Sequence, residues 1–168
     1  QSKVDVVPDH QGLTSSQFRI ATPTAYYYYQ LGLLYDVSGD SEIAISYYRK
    51  ALQIDDRSVF LHVELANLLI DNELWREAEQ EIQAALTIDS EYMPALMLLG
   101  TVYVNQQKYN EAIEAYNQVL QIDPVNNVNA YLYLASIYNR LDNKEKMLET
   151  LDNLLKVHNV NTRTFLDK

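Results

Sequence analysis

Three imidazoles, His10, His62 and His158, are the side chains here that titrate near neutral pH unaided, and they lie in three separate neighbourhoods. A zincin-type site needs two of them four residues apart on one helix with a Glu between, and no H-E-x-x-H spacing occurs. His62 falls among apolar residues at helical spacing, so it is expected to pack between helices, not to ligate a metal. There is no Cys, which removes thiolate ligands, nucleophilic thiols and disulfides together. The stretch Asp36-Val37-Ser38-Gly39-Asp40-Ser41-Glu42 holds carboxylates around a glycine. It lacks the alternating ligands and the twelfth-position Glu of a calcium loop, and it reads as an inter-helix turn. Glu73, Glu77, Glu79 and Glu81 are spaced to lie on the outward side of a helix, where a solvated acidic face is expected. No phosphate cradle, nucleophile elbow or kinase signature appears. The residues therefore predict no catalytic site, no metal and no cofactor.

What remains is surface, and composition bounds what that surface meets. The chain has 168 residues, 48% hydrophobic and 21% charged, proportions of a folded protein with a real core. Its net charge of −10 repels a phosphate backbone, so no nucleic-acid partner is expected. No apolar run nears the roughly 20 residues of a membrane-spanning helix, and no membrane insertion is expected. Only 4 Gly and 4 Pro punctuate the chain, which favours long helices joined by short turns.

An internal period organises those helices. Tyr28-x2-Leu31-Gly32-x2-Tyr35, His62-x2-Leu65-Ala66-x2-Leu69 and Leu96-x2-Leu99-Gly100-x2-Tyr103 follow one another at an interval of 34 residues. The same interval links Ala44, Ala78 and Ala112, and also Ile54-Asp55, Ile88-Asp89 and Ile122-Asp123. A fourth copy, Tyr131-x2-Leu134-Ala135-x2-Tyr138, arrives one residue late, which places the extra residue near Asn126-Asn127. Each unit holds two apolar helical stripes around a polar turn, such as Ser38-Gly39-Asp40. Helices are predicted near 25–38, 41–54, 59–71, 75–88, 93–105, 109–121, 128–140 and 144–157, with Thr24 as the first N-cap. Small residues at 32, 66, 100 and 135 are expected to face Ala44, Ala78 and Ala112 where paired helices approach closely. Tyr28, Tyr35, Tyr48, Tyr103, Tyr116 and Tyr138 are expected in the core.

This pattern resembles the tetratricopeptide repeat (TPR), with Leu99, Gly100, Tyr103, Ala112, Tyr116 and Pro124 making the third copy its best example. His62 departs from it, standing where a large aromatic is usual, and Met147 replaces a small Ala. The resemblance implies an all-α fold, a right-handed α-solenoid of antiparallel helix pairs. It divides the chain into a non-helical leader (1–24), repeats at 25–58, 59–92, 93–127 and 128–161, and the start of a further repeat or a tail (162–168). A longer array is expected on this reading, and the leader is compatible with a bacterial envelope protein.

The resemblance also implies where a partner sits. The second, fifth, ninth and twelfth residues of each first helix point into a concave groove, here Tyr26, Tyr29, Leu33 and Asp36, then Phe60, Val63, Asn67 and Ile70. Pro94, Met97, Thr101 and Val104 follow, then Asn129, Leu132, Ser136 and Asn139. Tyr26, Tyr29, Leu33, Phe60, Val63, Asn67, Met97 and Thr101 are the predicted partner-binding residues. In the TPR clamp that grips chaperone C-terminal tails, Lys, Arg and Asn hold carboxylates; those positions here are Tyr29, Pro94, Leu98, Leu33 and Glu64. A carboxylate-clamped chaperone tail is therefore not expected. The expected function is a non-catalytic scaffold binding a protein or peptide with bulky apolar side chains. The alternative is a self-assembling spacer, a homo-oligomer whose groove meets other copies or the leader segment.

Overall fold

Pro23 fixes the first turn of the first helix, and the hydroxyl of Thr22 accepts the Ala25 amide at 3.2 Å. The helix thus begins two residues earlier than predicted, with Thr22 rather than Thr24 as the cap. Eight helices follow in this computed structural model, which describes residues 22–166: α1 (Pro23–Val37), α2 (Ser41–Ile54), α3 (Val59–Asp71), α4 (Trp75–Ile88), α5 (Met93–Asn105), α6 (Tyr109–Ile122), α7 (Val128–Arg140) and α8 (Lys144–Leu166). Among the described residues there is no strand. The leader expected at 1–24 lies outside the described residues up to position 21, and its last two residues are already helical. The break expected near 161 is replaced by an unbroken α8 running to Leu166.

The turn inside each repeat is built the same way four times. One residue takes a left-handed backbone: Gly39 at φ 85°, Glu73 at 60°, Gln107 at 60° and Asp142 at 54°. Its amide and the next one bond back to the ending helix, as in Gln107 N to Val104 O (3.1 Å) and Lys108 N to Tyr103 O (2.8 Å). Only the first repeat uses glycine at this position, and the other three carry the steric cost of a side chain there. Between repeats an Asp closes the turn. Asp123 accepts the Val125 and Asn126 amides at 3.0 and 3.1 Å, and the inserted residue of the fourth copy is absorbed there.

Paired helices pack α1 on α2, α3 on α4, α5 on α6 and α7 on α8, and each pair packs on the next through its second helix. The fold is a right-handed TPR superhelix, with each repeat meeting its neighbours. Ala44, Ala78 and Ala112 are fully buried. Gly32 and Gly100, however, face tyrosines and not those alanines. A Cβ on Gly32 would fall 2.3 Å from Tyr48 Cδ1, and one on Gly100 would fall 2.5 Å from Tyr116 Cε1 and Cζ. The tyrosine ring of the second helix fills the space that the missing side chain leaves. At the positions that correspond to Gly32 and Tyr48, repeat two has Ala66 and Ile82, both fully buried. Tyr48 and Tyr116 are core, as predicted, but Tyr28, Tyr35, Tyr103 and Tyr138 are only half-buried. Tyr28 and Tyr35 instead stack on Tyr47, with the Lys50 ammonium 4.6 Å above the Tyr47 ring.

The acidic run on α4 is not a free solvated face. Glu77 pairs with Arg49 of the preceding repeat, Glu79 accepts from Gln106 (2.8 Å) with Lys108 nearby, and Glu81 meets His62 at 2.7 Å. These carboxylates bridge α4 to α2, α3 and the turn after α5. Glu73 is exposed as expected and Glu77 remains 46% exposed, while Glu79 and Glu81 are more covered because α4 has neighbours on both flanks.

Candidate functional site

The first helices carry the candidate surface, and aromatic contacts join them edge to edge. Tyr29 of α1 stacks on Tyr48 of α2 (centroids 5.7 Å, planes 19° apart) and meets Phe60 of α3 edge-on at 5.3 Å. Tyr26 tilts against Tyr29 at 6.3 Å. Further along, α3 touches α5 directly, which sets α1, α3 and α5 side by side as one layer. Of the predicted groove residues, Tyr26, Leu33 and Asn67 are exposed, while Tyr29, Phe60, Met97 and Thr101 are half-buried. The Thr101 hydroxyl donates to the Met97 carbonyl at 3.1 Å and lies 3.3 Å from the Tyr116 hydroxyl, so it is partly spoken for.

Val63 is the correction. At 4% exposure it belongs to the core cluster shared by α2 to α6, and it offers a partner almost nothing. The resemblance to the repeat family assigned it to the groove, but a helix flanked by first helices on both sides buries a wider arc than one at an edge. In the fourth repeat Asn129, Leu132, Ser136 and Asn139 are all exposed, and Tyr133 tilts against Tyr116 at 5.2 Å. A surface depression lined by Ile113, Glu114, Tyr138, Leu141 and Lys146 lies away from these positions, between α6 and the α7–α8 turn.

Electrostatics single out a residue that repeat spacing registered only as a failed clamp position. Glu64 is half-buried on α3, and its pKa is raised, first by burial and then by Asp36. Its charge is felt by three tyrosines. Burial, then Glu64 and Tyr26, push the Tyr29 phenol up to about 12. Burial, then Tyr29, Glu64 and Asp36, push Tyr48 up as well, and burial with Glu64 and Asp89 does the same to Tyr92. Asp36 and Glu64 make no hydrogen bond or ion pair among the described residues. His62, by contrast, points away from this layer: its Nδ1 lies 2.7 Å from Glu81 and its Nε2 3.1 Å from the Asp56 carbonyl. No described group of His, Asp and Glu has the arrangement of a metal site.

Fold and surface together define a tetratricopeptide-repeat protein. Residues 28–157 match the family model described as the Cilia and flagella-associated protein 70 middle TPR-like domain, and the chain belongs to that family. Mouse sperm-associated antigen 1 is 30% identical over 112 residues, covering 67% of this chain and 12% of its own length. The chain therefore spans about an eighth of that relative. The crystal structure of MamA superposes with a TM-score of 0.75 at 22% identity, over 85% of this chain and 84% of that one. The first TPR of Spaghetti (RPAP3), bound to the HSP90 peptide SRMEEVD, gives 0.67 at 26% identity over 71% of this chain and 94% of that one. The chain is a protein-interaction scaffold of the TPR class.

Proposed function

We propose that this scaffold holds a peptide segment of a partner protein along the face made by α1, α3 and α5, and that it does no chemistry itself. The observation that carries the reading is the aromatic seam: Tyr26, Tyr29 and Phe60 form a continuous, partly exposed apolar surface across two repeats. Apolar strips of this kind mark binding surfaces, and tyrosine supplies large, stiff contact area with a polar tip. The RPAP3 domain, of the same fold, is seen with a peptide bound. An acidic tail of that sort is not the ligand expected here, since the clamp positions hold Tyr29, Leu33, Glu64, Pro94 and Leu98. The test is capture of a partner from native lysate by the wild-type chain and by Tyr26→Ser/Leu33→Ser, a pair exposed enough to leave the fold intact. The captured species should vanish with the double variant. Its undiminished recovery would move the site off this face.

A second reading, assembly with other copies, is favoured by apolar residues on the two outermost helices. Leu34 and Val37 of α1 are 60% and 82% exposed, and Leu148 and Leu155 of α8 are similarly open. Light scattering at several concentrations separates the two readings: a mass that rises with concentration supports assembly.

A further inference from the structure

Resting on the assembly reading above, the repeat period names the surfaces on which two copies would meet. Tyr27 and Leu34 of α1 correspond to Leu61 and Leu68 of α3, to Ala95 and Val102 of α5, and to Ala130 and Ile137 of α7. Those residues of α3, α5 and α7 are at most 3% exposed, whereas Tyr27 and Leu34 are 58% and 60% exposed. Each covered helix packs on the second helix of the repeat before it, and α1 has no such helix among the described residues. The other end shows the same contrast. Leu148 and Leu155 of α8 correspond to Ile45 and Leu52 of α2, which are 7% and 8% exposed where α3 packs on that helix. They correspond also to Ile113 and Leu120 of α6, half-buried where α7 packs. On α8 the pair is 61% and 60% exposed. Where α2, α4 and α6 end, at Ile54, Ile88 and Ile122, the chain turns and lays the next first helix back. At the corresponding residue, Val157, α8 runs straight on to Leu166, so the described chain lays no helix of its own over Leu148 and Leu155.

The two open faces are the two halves of one junction, which the molecule already makes at α2–α3, α4–α5 and α6–α7. A soluble repeat array is ordinarily closed by polar outer faces, and an apolar end face is a surface for association. We infer that copies of this chain stack head to tail, the Leu148–Leu155 face of α8 in one copy receiving the Tyr27–Leu34 face of α1 in the next. The contact is heterologous, using different patches on the two copies, so each assembly keeps a free face at either end. It grows as a series of increasing mass and does not stop at a closed dimer. Neither face includes a proposed groove residue, so substitution separates assembly from peptide binding. The chain carries a net charge of −10, so copies repel at long range and the attraction between faces is apolar. Assembly therefore strengthens as salt screens the repulsion, opposite to the behaviour of a charge-paired contact.

The experiment is sedimentation velocity on the 168-residue chain over a wide range of concentration and salt. It compares the wild type with Tyr27→Gln/Leu34→Gln and with Leu148→Gln/Leu155→Gln, each alone and the two variants mixed. Glutamine leaves the charge unchanged and suits a helix, and circular dichroism melts verify that both variants are folded. The wild type should form a series of species that grows with concentration and with salt. Each variant alone should associate about tenfold or more weakly. Mixed, they should regain association but stop at a one-to-one dimer, because only one intact junction can form between them. A wild-type mass that ignores concentration would overturn this inference and the assembly reading together. Assembly that both variants retain would place the contact elsewhere and overturn the inference alone. An α1 variant that still dimerises while the α8 variant does not would make the contact symmetric, α8 on α8, and overturn the head-to-tail arrangement. Assembly that appears only after residues 1–21 are removed would make that segment the cover of α1, which also overturns it.

Discussion

His62 occupies a position where this repeat ordinarily places an aromatic, and it is 9% exposed. Burial alone pulls its pKa down, but the Glu81 carboxylate and the Asp56 carbonyl more than offset that, and the net direction is upward from 6.5. A histidine whose folded pKa is raised contributes stability that is fully present below the unfolded value of 6.5 and lost as pH rises through the folded value. Urea melts of the wild type between about pH 6 and about pH 9 should lose stability with rising pH. His62→Phe should lose markedly less over the same range. Equal slopes for the two would mean that the imidazole does not carry the charge the Glu81 contact implies. Glu64 works in the same direction for a different reason, since a carboxylate pushed up by burial destabilises the fold once ionised. Glu64→Gln should raise the melting temperature at neutral pH, and the gain should shrink as pH falls toward the carboxylate range. A lower melting temperature at neutral pH would contradict its isolation. The resemblance to the repeat family named Glu64 only as a clamp position that lacks its Asn. It did not reveal the isolation, because that depends on where every cation of the neighbouring helices goes.

At the scale of the element, the helix pair is set by a choice between two fillings. Gly100 leaves room for Tyr116, whose ring is pinned by Tyr133 and whose hydroxyl lies by Thr101, so it cannot yield to an added methyl. Gly100→Ala gains about 1 kcal/mol of helix propensity but overpacks the pair, and a net loss of about 1–2 kcal/mol is expected in urea melts. Adding Tyr116→Ile gives the two positions the residue types that the second repeat has there, Ala66 and Ile82. The double variant should be at least about 1 kcal/mol more stable than the sum of the single changes predicts. Strict additivity would show that the contact is not shared. The turns offer a gain instead. Gln107 sits at φ 60° where the first repeat has Gly39, so Gln107→Gly should stabilise by roughly 0.5–1 kcal/mol. A destabilised variant would mean that the side chain makes compensating contacts.

Across the whole molecule, the fold was nearly all legible in the residues. The 34-residue interval and the apolar stripes put six of the eight helices within one residue of their observed ends. The exceptions are the first and last described helices: α1 starts on Pro23, and α8 runs on to Leu166. The candidate surface was half legible. Periodicity names the residues of a helix face but not how far neighbours close over it, so Tyr26 and Leu33 emerged exposed while Val63 went to the core. The coverage of Glu79 and Glu81 on α4 was missed on the same ground, since ion pairs between repeats are set by stacking and not by position along one helix. The proposed function places the partner on the layer of first helices, not on the outer layer of second helices. Its most direct test places a photo-crosslinking amino acid at Asn67 on α3 or at Gln80 on α4, both exposed positions, and irradiates the chain with a bound peptide. The crosslink should form at position 67 and be absent at position 80; a crosslink at 80 alone would contradict the account.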